Sequence, residues 1–317
     1  MTTKITRKTY PYEKTEKKIR LQLRREPYSS ARCYICGAPA LWTFATDDTE
    51  GDGRGFLPTH RSYCTACAES EISRRIAADL DYHRMTATRA VENGITLLEK
   101  QGIDVISPRA RSITEYMRSK AYSGELSFGS KYEAAGGFIF ALAGLKPQME
   151  IMIATPLEGA PEHFNEVDIM IFLEGRWIAV EIDGDLHNGD GEKTVQRDRL
   201  VNWHYPEINI IHIDTDYLDT RARDLLHDVT VINRIIEGYR QQNGGAVPEN
   251  IQHLIADYLI RMNHPNADRL VNHAALYLAG DPYERKVRTP SYNARRREYI
   301  DQYCPTFPVF PFCSNPS

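Results

Sequence analysis

No apolar run in the 317-residue chain approaches the roughly 18 residues that a bilayer span requires, so a membrane-spanning helix is excluded from the reading. The opening Met1-Thr2-Thr3-Lys4 is not followed by the apolar h-region of about 7–15 residues that marks a secretory signal, and the chain is read as intracellular and cytoplasmic. Positive charge is not in excess: the net charge is −4, which does not describe a basic polyanion binder as a whole. No segment repeats. Cysteine is sparse, with six in all, and four of these (Cys33, Cys36, Cys64 and Cys67) form two C-x-x-C pairs. In an intracellular chain that pairing favours metal over disulfides. Cys304 and Cys313 have no evident role.

The hydrophobic fraction, 42%, suffices for a sizeable core, and the length suggests roughly two domains. Charge is unevenly spread. Residues 1–32 carry ten Lys/Arg, from Lys4 to Arg32, against Glu13, Glu16 and Glu26, whereas residues 131–240 carry twenty Asp/Glu against ten Lys/Arg. A basic arm beside an acidic segment suits a protein that holds a phosphate backbone with one part and a metal with another, although a solvated tail has the same composition.

Four parts follow along the chain. Residues 1–32 read as a basic arm with a short helix near Lys14–Arg25. Residues 33–102 hold the cysteine pairs, a glycine- and acid-rich loop at residues 46–55, and a helical pattern from Ala68 to Gln101 in which Ile72, Ile76, Leu80, Val91, Ile95 and Leu98 recur at three- and four-residue spacing. Residues 103–241 read as helix, strand, strand, strand, helix, strand, helix. The helices are Lys131–Leu145, Glu192–Tyr205 and Thr220–Tyr239; the strands are Met149–Ala154, Val167–Leu173, Trp177–Asp183 and Ile208–Ile213. Residues 242–317 begin at the breaker Gln241-Gln242-Asn243-Gly244-Gly245, continue helically over Pro248–Ala279, and end in a Pro/Tyr-rich tail containing Arg295-Arg296-Arg297. This extension is a candidate for a homodimer contact or a lid.

Two residues between thiolates let both sulfurs of Cys33-Tyr34-Ile35-Cys36-Gly37 reach one tetrahedral ion, and the glycine supports the tight turn. Cys64-Thr65-Ala66-Cys67 repeats the spacing and opens a helix, whose dipole favours thiolate. Two such pairs point to a structural Zn²⁺ held by four cysteines; buried free thiols or a redox pair are the alternatives. The order knuckle, hairpin, knuckle-on-helix resembles a treble clef. Some treble clefs are HNH nucleases, but His60 has no His-Asn-His set around it, so the zinc is read as structural.

The stretch Asn165-Glu166-Val167-Asp168 through Leu173, a turn, and Trp177 through Glu181-Ile182-Asp183-Gly184 forms a hairpin signal. A two-residue turn at Glu174-Gly175 pairs Asp168 with Glu181, and one at Gly175-Arg176 pairs Asp168 with Asp183. Either brings three carboxylates to the open end of one hairpin, because Glu181 and Asp183 share a strand face. A three-residue turn pairs Asp168 with Ile182 and separates them. Converging carboxylates repel without a cation, and a hard divalent ion, Mg²⁺ or Mn²⁺, suits oxygen ligands. Solvated charges at strand ends are the bland alternative.

The order Asp168, then Glu181-Ile182-Asp183-Gly184-Asp185-Leu186-His187, then Gln196-Arg197-Asp198-Arg199-Leu200 resembles the Vsr-like (very-short-patch-repair endonuclease-like) branch of the PD-(D/E)XK nucleases. Glu133 on the preceding helix, Lys146-Pro147-Gln148 before the first strand, and the strand Ile208–Ile213 with Asp214 and Asp216 extend the resemblance over roughly residues 130–240. It implies an α/β, restriction-endonuclease-like mixed sheet flanked by helices, and metal-dependent hydrolysis of phosphodiester bonds in DNA, with double-stranded DNA as partner. The metal ligands are then Asp168, Glu181 and the Ile182 carbonyl. Asp183, His187, Glu133 and Arg197 complete the candidate catalytic set, with His187 placed to handle the proton. The zinc module, the basic arm and Arg295–Arg297 are the expected grip on the duplex. The lysine of the superfamily name is absent, with Asp183 in its place. That departure keeps open a catalytically idle zinc-dependent nucleic-acid-binding protein; an RNA endonuclease is the other alternative.

Overall fold

A computed structural model of the chain describes residues 5–7, 12–26, 28–44, 61–157, 159, 163–184, 191–278 and 286–287. In chain order these form β1 (Ile5–Arg7), α1 (Tyr12–Arg20), β2 (Leu23–Arg25), β3 (Trp42–Phe44), β4 (Ser62–Tyr63) and α2 (Thr65–Lys100). Next come α3 (Pro108–Ser123), α4 (Lys131–Leu142), β5 (Gln148–Ala154), β6 (Phe164–Leu173) and β7 (Arg176–Asp183). They are followed by α5 (Gly191–His204), β8 (Ile208–Asp214), α6 (Thr215–Gln242), α7 (Ile251–Arg261), α8 (Ala267–Leu278) and β9 (Lys286–Val287).

Alternation in the strands decides the layers. Ile169 and Ile171 of β6, Ile178, Val180 and Ile182 of β7, and Ile211 and Ile213 of β8 share one core with α2, α4 and α6. Met170, Ala179, Ile208 and Ile210 turn the other way, onto Val201 of α5. The result is a mixed α/β architecture around a six-stranded sheet of order β1-β5-β6-β7-β8-β9. From β1 to β7 the pairings are antiparallel; β8 joins β7 in parallel through the α5 crossover, and β9 is parallel to β8. β8 is buried along its whole length, which explains its near-continuous apolar sequence.

The β6–β7 hairpin closes through the two-residue turn Glu174-Gly175, with Leu173 opposite Arg176 and Ile169 opposite Val180. Both turn residues have positive φ, 56° and 75°. This twist matches that of the strands, and glycine adopts it freely. Glutamate does not, but the Glu174 carboxylate is fixed 2.6 Å from Arg240 of α6.

Helix α2 is 36 residues long, about 54 Å, and belongs to two cores. Its first turns pack with α1 and the small sheet β2-β3-β4 around Ile19, Phe44, Tyr63, Ile72 and Ile76. Residues 12–26, expected within a basic arm, therefore contribute α1 and β2 to this lobe, and Arg20 binds Glu69 of α2 through two hydrogen bonds. The second half of α2 lies against α3 and α4. Gly94 is the close-approach point: a β-carbon there would sit 2.7 Å from the Lys131 carbonyl oxygen and 3.1 Å from the Ala135 nitrogen. Both neighbours are backbone and cannot rotate away. Gly94→Ala is thus expected to destabilise the chain by about 1–3 kcal/mol despite alanine's better helix propensity, a shift that urea denaturation monitored by circular dichroism reads directly.

Helix α3 starts at the N-cap Ser107 with Pro108 behind it and stops at Gly124 in the left-handed conformation. Within the expected helical stretch Pro248–Ala279 the described residues hold two helices, α7 and α8, separated at Asn263, whose φ is 46°. Among the described residues no helix is long and apolar enough to cross a membrane.

Candidate functional site

The observed register settles which turn operates. Continued by one residue beyond Ile169–Val180, it puts Asp168 opposite Glu181, and the Asp168 carboxylate accepts a 2.7 Å hydrogen bond from the Ile182 N–H. Glu181 and Asp183 follow on the same face of β7, toward α5, and both are buried; Asp168 is partly accessible. Parallel pairing then places His212 of β8 beside Glu181 and Asp214 beside Asp183.

Two basic side chains share three of the carboxylates. Arg197 Nη1 of α5 lies 3.2 Å from Glu181 Oε2, and Arg197 Nη2 lies 3.5 Å from Asp198 Oδ1. His212 Nδ1 lies 3.3 and 3.2 Å from the two Asp183 oxygens, and its Nε2 lies 2.8 Å from Asp198 Oδ2. Glu133 sits in the first turn of α4, where its backbone N–H donates to Ser130 Oγ and its carboxylate accepts from the Gly129 N–H at 2.6 Å. It caps the helix and also adds negative charge near Asp168. The structure thus brings Glu133, Asp168, Glu181, Asp183 and Arg197 into one neighbourhood. It does not draw the carboxylates onto a single point: among the described residues, the only set of three or more metal-ligating groups with all ligand atoms within 4.8 Å is the four cysteines.

The electrostatics bear the mark of crowded negative charge. Burial, together with the charges of Glu181 and Glu133, holds Asp168 well above the usual carboxylate range, and the Ile182 N–H and Arg197 offset only part of this. Burial pushes Glu181 up to about 7 against the opposing pull of Arg197 and His212. Burial alone would lower His212, but Asp198 and Asp183 outweigh it and raise the imidazole to about 9. Five carboxyl groups, those of Glu133, Asp168, Glu181, Asp183 and Asp198, gather around two basic side chains, Arg197 and His212.

The cysteines make the second site. Gly37, with φ 74°, closes the first knuckle by donating its N–H to the Cys33 carbonyl, and Cys64 is the N-cap of α2. Cys36 Sγ lies 3.7 Å from both Cys64 Sγ and Cys67 Sγ, and all four sulfurs fall within 4.8 Å of one another. A tetrahedron with Zn–S bonds of about 2.3 Å has edges of about 3.8 Å, whereas a disulfide needs about 2.05 Å. The spacing therefore suits a metal ion such as zinc. At Cys33 burial opposes ionisation, but backbone N–H groups of Cys64, Cys36 and Ile35 outweigh it and bring the thiol down to about 6. Hydrogen bonding with Cys64 and Cys36 pushes Cys67 up to about 12, so this set does not ionise fully without a cation.

A scan against protein-family models gives no match, and neither a search of curated proteins nor one of solved structures gives a match.

Several expected residues lie outside the described ones: His187, His60, Arg295–Arg297, Cys304, Cys313 and the loop 46–55. Gln196 is exposed on α5. Sequence reasoning missed His212 and noted Asp198 only within the stretch Gln196–Leu200 that carries the resemblance. The signal for His212 was a lone polar residue in the apolar run Ile210-Ile211-His212-Ile213, at a position whose side chain points away from the Ile211–Ile213 core.

Proposed function

We propose that the chain is a metal-dependent endonuclease acting on DNA, with a PD-(D/E)XK-type, Vsr-like core and a structural zinc in the N-terminal lobe. The observation that carries this reading is the facing pair Asp168 and Glu181, two carboxyl groups held above their ordinary range at the open end of a hairpin. Proteins maintain such repulsion where a cation or a proton is to be held. The run α4-β5-β6-β7-α5-β8, antiparallel and then parallel, agrees with the restriction-endonuclease-like sheet implied by the resemblance.

Asp168, Glu181 and the Ile182 carbonyl are the donors that would hold Mg²⁺ or Mn²⁺. Hard oxygen ligands, and carboxyl groups that outnumber the basic side chains around them, suit one such ion. When bound, it supplies neutralising charge to the scissile phosphate and acidifies a nearby water. Arg197 holds the Glu181 carboxylate and presents positive charge beside the same phosphate site. In the lobe, the 3.7 Å sulfur spacing supports Zn²⁺, and exposed Arg24, Arg25, Arg32 and Tyr34 supply charge and stacking surface for a nucleic-acid backbone.

The deciding experiment incubates supercoiled plasmid, single-stranded DNA and RNA with purified protein in Mg²⁺, Mn²⁺ or EDTA. Nicked or linear plasmid is expected with either metal and none with EDTA. Folded protein that cuts none of the three would be an idle nucleic-acid-binding protein instead. Cutting confined to RNA would make it an RNA endonuclease.

A further inference from the structure

The buried line Asp198–His212–Asp183 lies outside the proposed metal donors and is deeply sequestered: His212 and Asp198 are 0% exposed and Asp183 is 8% exposed. It crosses three elements, from α5 through β8 to β7. A carboxylate accepts hydrogen bonds and cannot donate them, so a ring whose two nitrogens both face carboxylate oxygens carries a proton on each. His212 is then a fixed cation without rotational freedom. Both Asp183 oxygens are directed at its Nδ1.

Resting on the nuclease reading, we propose that His212 is a positioning residue of the carboxylate site: a buried cation that aims Asp183, ties α5 and its Arg197 to the sheet, and supplies the positive charge that the lysine-lacking motif omits. Two consequences follow. Asp183 is a held carboxylate whose oxygens are committed to His212, so it is not the proton acceptor of the reaction. Arg197 reaches Glu181 from α5 at a place set one residue along the chain, where Asp198 grips His212.

The test compares wild type, His212→Gln and His212→Lys by two readouts: Mn²⁺ affinity from electron paramagnetic resonance and single-turnover cleavage of plasmid. Removing a partner of this kind typically costs about 10–100-fold in activity, and that loss is expected for His212→Gln. Its Mn²⁺ affinity should be unchanged or higher, because a positive charge has left the neighbourhood of the ion. His212→Lys keeps the charge and should recover part of the rate. Adding Asp183→Asn to His212→Gln should slow cleavage no further, because the two act as a unit. Wild-type rates in His212→Gln, or a more than tenfold weaker Mn²⁺ affinity at unchanged melting temperature, would overturn the assignment. If His212→Gln does not fold, Asp198→Asn must slow cleavage by at least about tenfold with Mn²⁺ affinity within tenfold of wild type, and its failure to do so overturns the proposal equally. Wild-type protein that binds Mn²⁺ but cuts nothing would defeat the nuclease reading alone; the Mn²⁺ comparison would still judge His212, with weaker binding in His212→Gln counting against it.

Discussion

Asp168→Asn is expected to abolish metal-dependent cleavage, by at least about 100- to 1,000-fold, and at the same time to raise the melting temperature of the metal-free protein. The two effects share one cause. Asp168 faces the negative charges of Glu181 and Glu133 and is held well above the usual carboxylate range, so its ionised form works against folding until a cation arrives. Asparagine has the same shape, is neutral, and its oxygen still accepts from the Ile182 N–H. The sign of the pH dependence follows from linkage. A carboxyl whose folded pKa exceeds its unfolded value leaves stability intact below the unfolded value, about 3.9–4.3, and erodes it as pH rises through the folded value. Glu181, raised to about 7, adds to this, so metal-free wild type should lose stability between about pH 4 and pH 7 and above. The advantage of Asp168→Asn should be wide at pH 8 and narrow at pH 5. Mg²⁺ should raise the melting temperature of the wild type and leave that of the variant nearly unchanged. Scanning calorimetry at both pH values, with and without Mg²⁺, measures all of this; a variant that cuts like wild type would remove Asp168 from the site.

What the sequence disclosed follows the range of the interactions involved. The hairpin strands and the shared face of Glu181 and Asp183 were legible because alternation is local. The register was not: three turns were open, two of two residues and one of three, and the chosen one puts Glu174 at positive φ, held by an arginine 66 residues away. Helix α3 carried its signals in Ser107, Pro108 and Gly124, yet its apolar period was too weak to register. The convergence of three carboxylates was legible as charge but not as geometry. Arg197 claims Glu181, His212 claims Asp183 and the Ile182 N–H claims Asp168, and only the fold brings α5 and β8 to them. His212 itself required a parallel pairing across the α5 crossover. The cysteine pairs were legible in full, since two C-x-x-C spacings leave little freedom once a hairpin joins them.

That second site gives the other large effect. Cys36→Ser, or prolonged chelation, is expected to reduce bound zinc from about one ion per chain to none and to unfold the N-terminal lobe while the large sheet stays intact. Cys36 is the informative choice because its sulfur approaches those of both Cys64 and Cys67. The lobe has little else to hold it. Among the described residues its strands are two and three residues long, and its buried apolar cluster is Ile19, Phe44, Tyr63, Ala68, Ile72 and Ile76. A core of that size does not offset the ordering of its chain without a staple, and a structural zinc supplies about 10–16 kcal/mol in small zinc-binding peptides. Unfolding should stop partway along α2, because its second half belongs to the larger core, with Val91 and Leu98 fully buried there. Limited trypsin digestion resolves this: new cuts should appear at Arg24, Arg25, Arg32 and Arg61, and none within α4 or the strands β5–β8. If the lobe is the grip on nucleic acid, the treated protein should also lose the steep salt dependence of its DNA binding, because the phosphate-facing arginines no longer share a rigid surface. A folded sample without zinc, or an unchanged digestion pattern after chelation, would show that apolar packing alone holds this lobe.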